Sequence, residues 1–143
     1  MRNKLLLTLA ASALAVGAIS TEGAFAAKSK SSEPLPFSSK EKANGAKYHP
    51  EILKEFGGAY QSPQTAYVER VGKKIALQSG LANSEGEFTV TFLNSAVNNA
   101  FAIEGGYVYI TRQLAALCNS EAEMAGVLGH EVGHVVARHS AER

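Results

Sequence analysis

The order of the hydrophobic patterns along the chain predicts an α+β fold. Apolar residues recur at helical spacing in two segments before residue 80, alternate with a period of two between residues 88 and 111, and return to helical spacing after residue 120. Helices on either side of a short run of strands are typical of helices packed on a small sheet. With 143 residues, 45% hydrophobic and 19% charged, the chain suits one globular domain.

Two helices are predicted in the first half of the chain. Pro50 suits the first turn of a helix that Gly57 and Gly58 end. A second helix is predicted from Pro63 to Ser79, and Gly80 closes it.

The middle of the chain has the pattern of strands. Phe88–Leu93 alternates, Asn98–Ile103 is a second candidate, and Tyr107–Thr111 is almost wholly β-branched and aromatic. Gly105-Gly106 predicts a turn between the last two strands. A short helix is predicted over Gln113–Cys118.

The last segment is predicted to be a long helix. Ser120 is a suitable N-cap, and Glu123 lies three residues on, as a capping box requires. No glycine or proline strong enough to end the helix follows before the terminus, so we expect it to continue towards Arg143.

The first 26 residues are interpreted as a secretory signal peptide. Arg2 and Lys4 precede the apolar run Leu5–Ile19, and small residues end the segment, so cleavage is expected between Ala26 and Ala27. The alternative is a membrane anchor, for which the run is short. Residues 27–46 read as a flexible lead-in and 47–143 as the folded part. We therefore expect a periplasmic or secreted protein with no span in the mature chain, while peripheral association with a membrane stays open.

Composition narrows the functional classes. The net charge of +1 gives no indication of a nucleic-acid partner. All 13 acidic residues are Glu, which excludes an Asp-based catalytic triad and Asp-rich calcium loops. The one cysteine, Cys118, cannot form an internal disulfide and is interpreted as a small hydrophobic residue.

The segment from His130 to His134 has the pattern H-E-x-x-H. Residues four apart on a helix point the same way, so His130 and His134 can direct ring nitrogens at one zinc ion. Glu131 is then placed to act as the general base on a zinc-activated water, which is a mechanism of peptide hydrolysis. The simpler interpretation, two surface histidines and a solvated glutamate, is disfavoured because Glu131 lies beside an apolar stripe, where a carboxylate is costly.

Other residues near the motif are weaker candidates. His139 points away from the ligand face, and Ser140 stands where a longer zinc motif has a third histidine, so the third ligand is expected elsewhere. His49 is interpreted as structural, in a loop before Pro50. Arg138 suits either a carboxylate near the zinc or a surface ion pair.

An ordered series of segments resembles the family of the HtpX heat-shock protease and the CAAX prenyl endopeptidases, and most closely its soluble periplasmic members. The resemblance covers about residues 48–143 and rests on the following segments: Asn99–Ala102, Gly105–Arg112, Asn119–Glu123 and Gly129–Ser140. It implies a zincin-like fold with a long active-site helix, one zinc ion per chain, and envelope protein quality control on polypeptide substrates. It also implies that the zinc ligands are His130 and His134, that Glu131 is the catalytic base, and that a later helix supplies a glutamate as third ligand.

By this resemblance the chain is an N-terminal part of the peptidase domain, with the third ligand beyond Arg143. The alternative is a catalytically incompetent fragment or a non-catalytic zinc-binding or chaperone-like module, because only two of the three ligands are present in the sequence.

Overall fold

A computed structural model describes residues 36–137 of the chain. The elements are listed here in chain order: α1 (Ser39–Glu55), α2 (Thr65–Leu77), a 3-10 turn (Glu85–Glu87), β1 (Thr89–Leu93), β2 (Ala100–Ile103), β3 (Tyr107–Thr111), α3 (Arg112–Leu117) and α4 (Glu121–Val136). The α+β class is confirmed. The predicted signal peptide, the first part of the lead-in and the last six residues lie outside the described residues. None of the helices in residues 36–137 is long and apolar enough to cross a membrane.

The first helix begins eleven residues earlier than predicted. Ser38 and Glu41 form a complete capping box, in which the hydroxyl of Ser38 accepts from the backbone N–H of Glu41 and the carboxylate of Glu41 accepts from the backbone N–H of Ser38. This cap starts a helix within the segment predicted to be flexible, and Pro50 lies inside the helix instead of at its start. The predicted end is confirmed, because Gly57 adopts a φ of +78° just after the helix.

The three strands form one sheet in the order β1-β3-β2. The outer strand β1 runs parallel to β3, and Val90 is opposite Val108 in that pair. On the other side β2 runs antiparallel to β3, and Phe101 is opposite Tyr109. A tight turn joins β2 to β3, with positive φ at both of its glycines. The strand with the strongest β propensity is therefore the central one.

Helices cover both faces of the sheet. On one face, α2 and α4 pack on the buried side chains of alternate strand residues, Val90 and Phe92 on β1 and Val108 and Ile110 on β3. On the other face, aromatic rings of β2 and β3 contact the rings of His49 on α1 and of Phe56 just after it. The site helix is thus fixed to the sheet along one side only.

The cap of α4 is confirmed with one difference. The hydroxyl of Ser120 accepts from the backbone N–H of Glu123, as predicted. The carboxylate of Glu123 accepts from the backbone N–H of Asn119, one residue ahead of the N-cap, so the reciprocal bond is displaced by one residue.

Candidate metal centre

The helix α4 turns its two histidines away from the core. Met124, Leu128 and Val132 are 3%, 0% and 4% exposed and pack between α2 and the sheet. His130 and His134 are offset from that stripe by about half a turn, and both are exposed. The apolar spacing of the helix therefore determines which way the motif faces.

The two imidazole rings meet edge to face. The Nε2 atoms of His130 and His134 are 3.0 Å apart, and the ring centroids are separated by 4.6 Å with an interplanar angle of 87°. Which Nε2 donates in this contact depends on the tautomers of the two rings. Both Nε2 atoms are thus directed at the same small volume outside the helix.

This geometry fits a zinc ion. In a tetrahedral shell with bonds of ~2.0–2.1 Å, two ligand nitrogens are separated by about 3.3 Å. The Nε2 atoms need to move apart by only a few tenths of an ångström, and both side chains lie on the exposed face of the helix.

Glu131 lies at the flank of the same helix and is partly exposed. From the sequence, Glu131 is expected beside an apolar stripe, where its charge is costly. Of the stripe residues three or four positions from Glu131, Leu128 is buried, whereas Val127 and Val135 are only partly buried. The carboxylate therefore keeps contact with solvent, and the burial argument has less weight than predicted.

The structure brings two predicted ligands together but not a third. Within residues 36–137 no group of three or more His, Cys or Glu side chains could hold a metal ion. A four-coordinate zinc held by the two histidines would need two further groups, one of which is a water at a catalytic site.

The other candidate residues have different positions. His49 lies within α1, not in a loop, and its Nδ1 is 2.8 Å from the hydroxyl of Tyr109, which agrees with a structural role. Cys118 is half-buried, and its Sγ donates to the carbonyl of Leu114. Arg138 and His139 lie outside the described residues.

The sequence did not predict which strand lies at the edge of the sheet, and the strand order decides this. Because β3 is paired on both sides, the strand ahead of the active helix in the chain offers no open edge. Of the two outer strands, β1 is partly covered by an antiparallel bridge between Ala59 and Leu93. In the described residues β2 pairs with β3 alone, and it packs against α4.

Several curated proteins are similar to this chain. The mitochondrial metalloendopeptidase OMA1 of Schizosaccharomyces pombe is 38% identical over 96 residues, which cover 65% of this chain and 28% of that protein. The putative beta-barrel assembly-enhancing protease of Vibrio cholerae is 33% identical over 75 residues, 52% of this chain and 15% of that protein. The beta-barrel assembly-enhancing protease of Yersinia pestis is 32% identical over 82 residues, 57% of this chain and 16% of that protein. The chain thus spans less than a third of the length of these relatives.

The family assignment rests on a longer match. The model of Peptidase family M48 matches residues 62–143, which is more than half of the chain and includes the whole of α2, the sheet and α4. The relatives with the metalloendopeptidase and protease names match overlapping parts of the chain. The family predicted from the ordered sequence segments is therefore confirmed, and the chain belongs to peptidase family M48.

Proposed function

We propose that this chain carries the catalytic helix of a zinc metalloendopeptidase. The observation that carries the proposal is the pair of exposed Nε2 atoms, 3.0 Å apart on one helix face, in a chain that belongs to a peptidase family. The small sheet with a long active-site helix packed on it supports the zincin-like class for the complete domain.

Three residues have distinct roles in the proposed reaction. His130 and His134 hold the ion through their Nε2 atoms, and the third protein ligand is the glutamate that the resemblance implies on a later helix. When bound, zinc lowers the pKa of a water and polarises the scissile carbonyl. Glu131 takes the proton of the attacking water and passes it to the amine that leaves, for which its partly exposed position is suitable.

The polypeptide substrate is proposed to bind in extended form along β2. That strand has an outer edge to which another strand can add, and its backbone lies next to the site helix. Main-chain hydrogen bonds to β2 would hold the peptide independently of most of its side chains, which suits an enzyme that cleaves many different proteins.

The setting we propose is protein quality control in the cell envelope. Two of the similar proteins have the name beta-barrel assembly-enhancing protease, and the first 26 residues of this chain have the pattern of a secretory signal. After cleavage between Ala26 and Ala27, the mature protein would act in the periplasm or outside the cell on damaged or misassembled envelope proteins.

The test uses the full-length gene product and its Glu131→Gln variant. Zinc content is measured by metal analysis and peptidase activity by cleavage of casein. We expect about one zinc per chain in both proteins. Casein cleavage should fall at least about 100-fold in the variant, because loss of a general base costs ~10²–10⁴-fold.

Two further variants complete the design. Glu51→Gln removes the same charge from an exposed position of α1, away from His130 and His134, and should keep full activity. His130→Ala should lose zinc and activity together. If the parent binds no zinc and does not cut casein, the non-catalytic alternative replaces this proposal; equal activity of the parent and Glu131→Gln would exclude Glu131 as the base.

A further inference from the structure

A cavity of about 520 Å³ lies between α2, α3 and the start of α4. Its apolar lining includes Val68, Phe92 and Met124, which are 3%, 6% and 3% exposed and belong to the core. On α4 the lining residues belong to the first turn, so the cavity is separate from His130 and His134, which lie on the outward face. The volume is in the range of sites that bind small organic ligands.

One cation lines this cavity in a fixed position. The guanidinium of Arg112 lies over the ring of Tyr60, 5.9 Å from its centroid, and its Nε donates to the side-chain oxygen of Asn94 at 2.9 Å. In the described part of the chain no carboxylate lies within ion-pair distance of Arg112, and its hydrogen bond there uses only the Nε–H of its donors. A held guanidinium with open donors is well matched to a carboxylate, which it binds with two parallel hydrogen bonds.

The polar residues that line the cavity favour a peptide over a hydrocarbon chain as the ligand. Three residues with amide side chains, Gln64, Gln113 and Asn119, line the cavity, and the Nδ2 of Asn119 donates to the carboxylate of Glu123 at 3.2 Å. Such amides both donate to and accept from peptide groups, whereas a hydrocarbon chain satisfies neither function. Glu121 also lines the cavity, and its negative charge disfavours a ligand with a second acidic group.

We infer that this cavity is a second binding site, which takes the free carboxyl end of a polypeptide with an apolar last residue. Arg112 binds the terminal carboxylate, the core side chains contact the apolar side chain, and the amides bond the preceding peptide groups. The site works without the metal centre, so it supplies an anchor for a chain end and not a part of the cleavage reaction.

The experiment measures binding of an N-acetylated tripeptide, Ala-Ala-Leu with a free carboxylate, to the full chain by isothermal titration calorimetry. The C-terminal amide of the same peptide should bind about tenfold or more weakly, because it loses the charge-assisted bonds to Arg112. Arg112→Gln should lose a similar factor for the acid and little for the amide. Arg70→Gln is the matched control, since Arg70 also lies over a tyrosine ring but does not line the cavity.

A second measurement, the rate of alkylation of Cys118, locates the ligand. It uses the wild-type chain, so it does not require that a variant fold correctly. Cys118 lines the cavity, and mass spectrometry of the peptide that contains it reports alkylation at this one position. Saturating peptide acid should slow alkylation of Cys118 about tenfold, and the amide should not do so at the same concentration. Binding of the peptide acid and protection of Cys118 should both persist in Glu131→Gln and in zinc-free protein. A loss of binding at the cavity can therefore be told apart from a loss of the proposed peptidase activity.

Three outcomes would overturn the inference. Equal binding of the acid and the amide would remove the role of Arg112. Binding of the peptide without protection of Cys118 would place the peptide elsewhere. Protection by a fatty acid of similar length, with none by the peptide, would assign the cavity to a lipid carboxylate.

Discussion

At the scale of single residues, His49 joins α1 to the sheet although it lies outside the H-E-x-x-H motif. Its Nδ1 is 2.8 Å from the hydroxyl of Tyr109, and its ring lies 5.0 Å from that of Tyr107. Burial lowers the pKa of His49 below its ordinary value of 6.5, and burial raises the pKa of Tyr109. The neutral imidazole is therefore the form that joins α1 to the central strand.

This pairing predicts a loss of stability in acid. Because the pKa of His49 is lower in the folded state than in the unfolded state, the unfolded chain binds more protons once the pH falls below about 6.5. The contribution of His49 is fully present above that pH and decreases as the pH falls towards its folded pKa. Urea unfolding of the wild type and His49→Gln at about pH 8 and pH 5 measures this contribution.

The variant isolates His49 from the other three histidines, which titrate in both proteins. We expect the free energy of unfolding to fall more in the wild type than in His49→Gln. Parallel losses in the two proteins would show that the protonation of His49 does not oppose folding.

At the scale of elements, the packing of α2 on β1 depends on one glycine. A Cβ atom at Gly72 would lie 2.6 Å from Cγ1 and 3.1 Å from Cγ2 of Val90. Valine has a stiff χ1 and cannot turn both methyl groups away at once. The helix α2 can pack this closely on Val90 of β1 because position 72 has no side chain.

Two substitutions of the same kind test this contact. Gly72→Ala should lower the free energy of unfolding by about 1–3 kcal/mol, because it overpacks the boundary between α2 and β1. Gly126→Ala should raise it by about 0.5–1 kcal/mol, because a Cβ there meets nothing within 4 Å and alanine favours a helix interior. Chemical denaturation of both variants gives the two values, and a stabilising Gly72→Ala would contradict the close approach.

At the scale of the whole molecule, one core holds the site helix, its neighbour α2 and the sheet together. Leu128 is fully buried in this core, between the elements that the motif depends on. The one ion pair of the described residues, Lys42 with Glu87, is partly exposed and adds little to stability. The orientation of His130 and His134 therefore depends on apolar packing.

Truncation of Leu128 should thus be costly. Leu128→Ala is expected to lower the free energy of unfolding by about 2–5 kcal/mol, a large part of the 5–15 kcal/mol of an ordinary domain. Leu117→Ala removes the same atoms from a side chain that is 54% exposed and should cost well under 1 kcal/mol. Thermal melts compare the two, and similar losses would show that α4 is not anchored by this core.

Much of the local structure was predictable from the sequence. The N-cap of α4 at Ser120 and the bounds of β3 agree with the patterns of nearby residues, whereas α4 ends at Val136 although it was predicted to continue towards Arg143. The start of α1 was missed although Ser38 and Glu41 form a capping box, because the glycine at position 45 and the proline at position 50 reduce helix propensity there. A Cβ at position 45 would lie 2.7 Å from the ring of Tyr107, so contact with the sheet explains this glycine.

By itself, the sequence determined the start of α4 at Ser120, the shared face of His130 and His134, and the family. The first two depend on residues three or four positions apart, for which helix geometry is the same in every protein. The family depends on an ordered series of segments along the chain. Only the tertiary structure decided the central place of β3, the edge at β2, the pairing of His49 with Tyr109 and the cavity beside Arg112. The physical reason is that these features join residues far apart in the chain, such as the 60 positions between His49 and Tyr109, and no local pattern encodes such contacts.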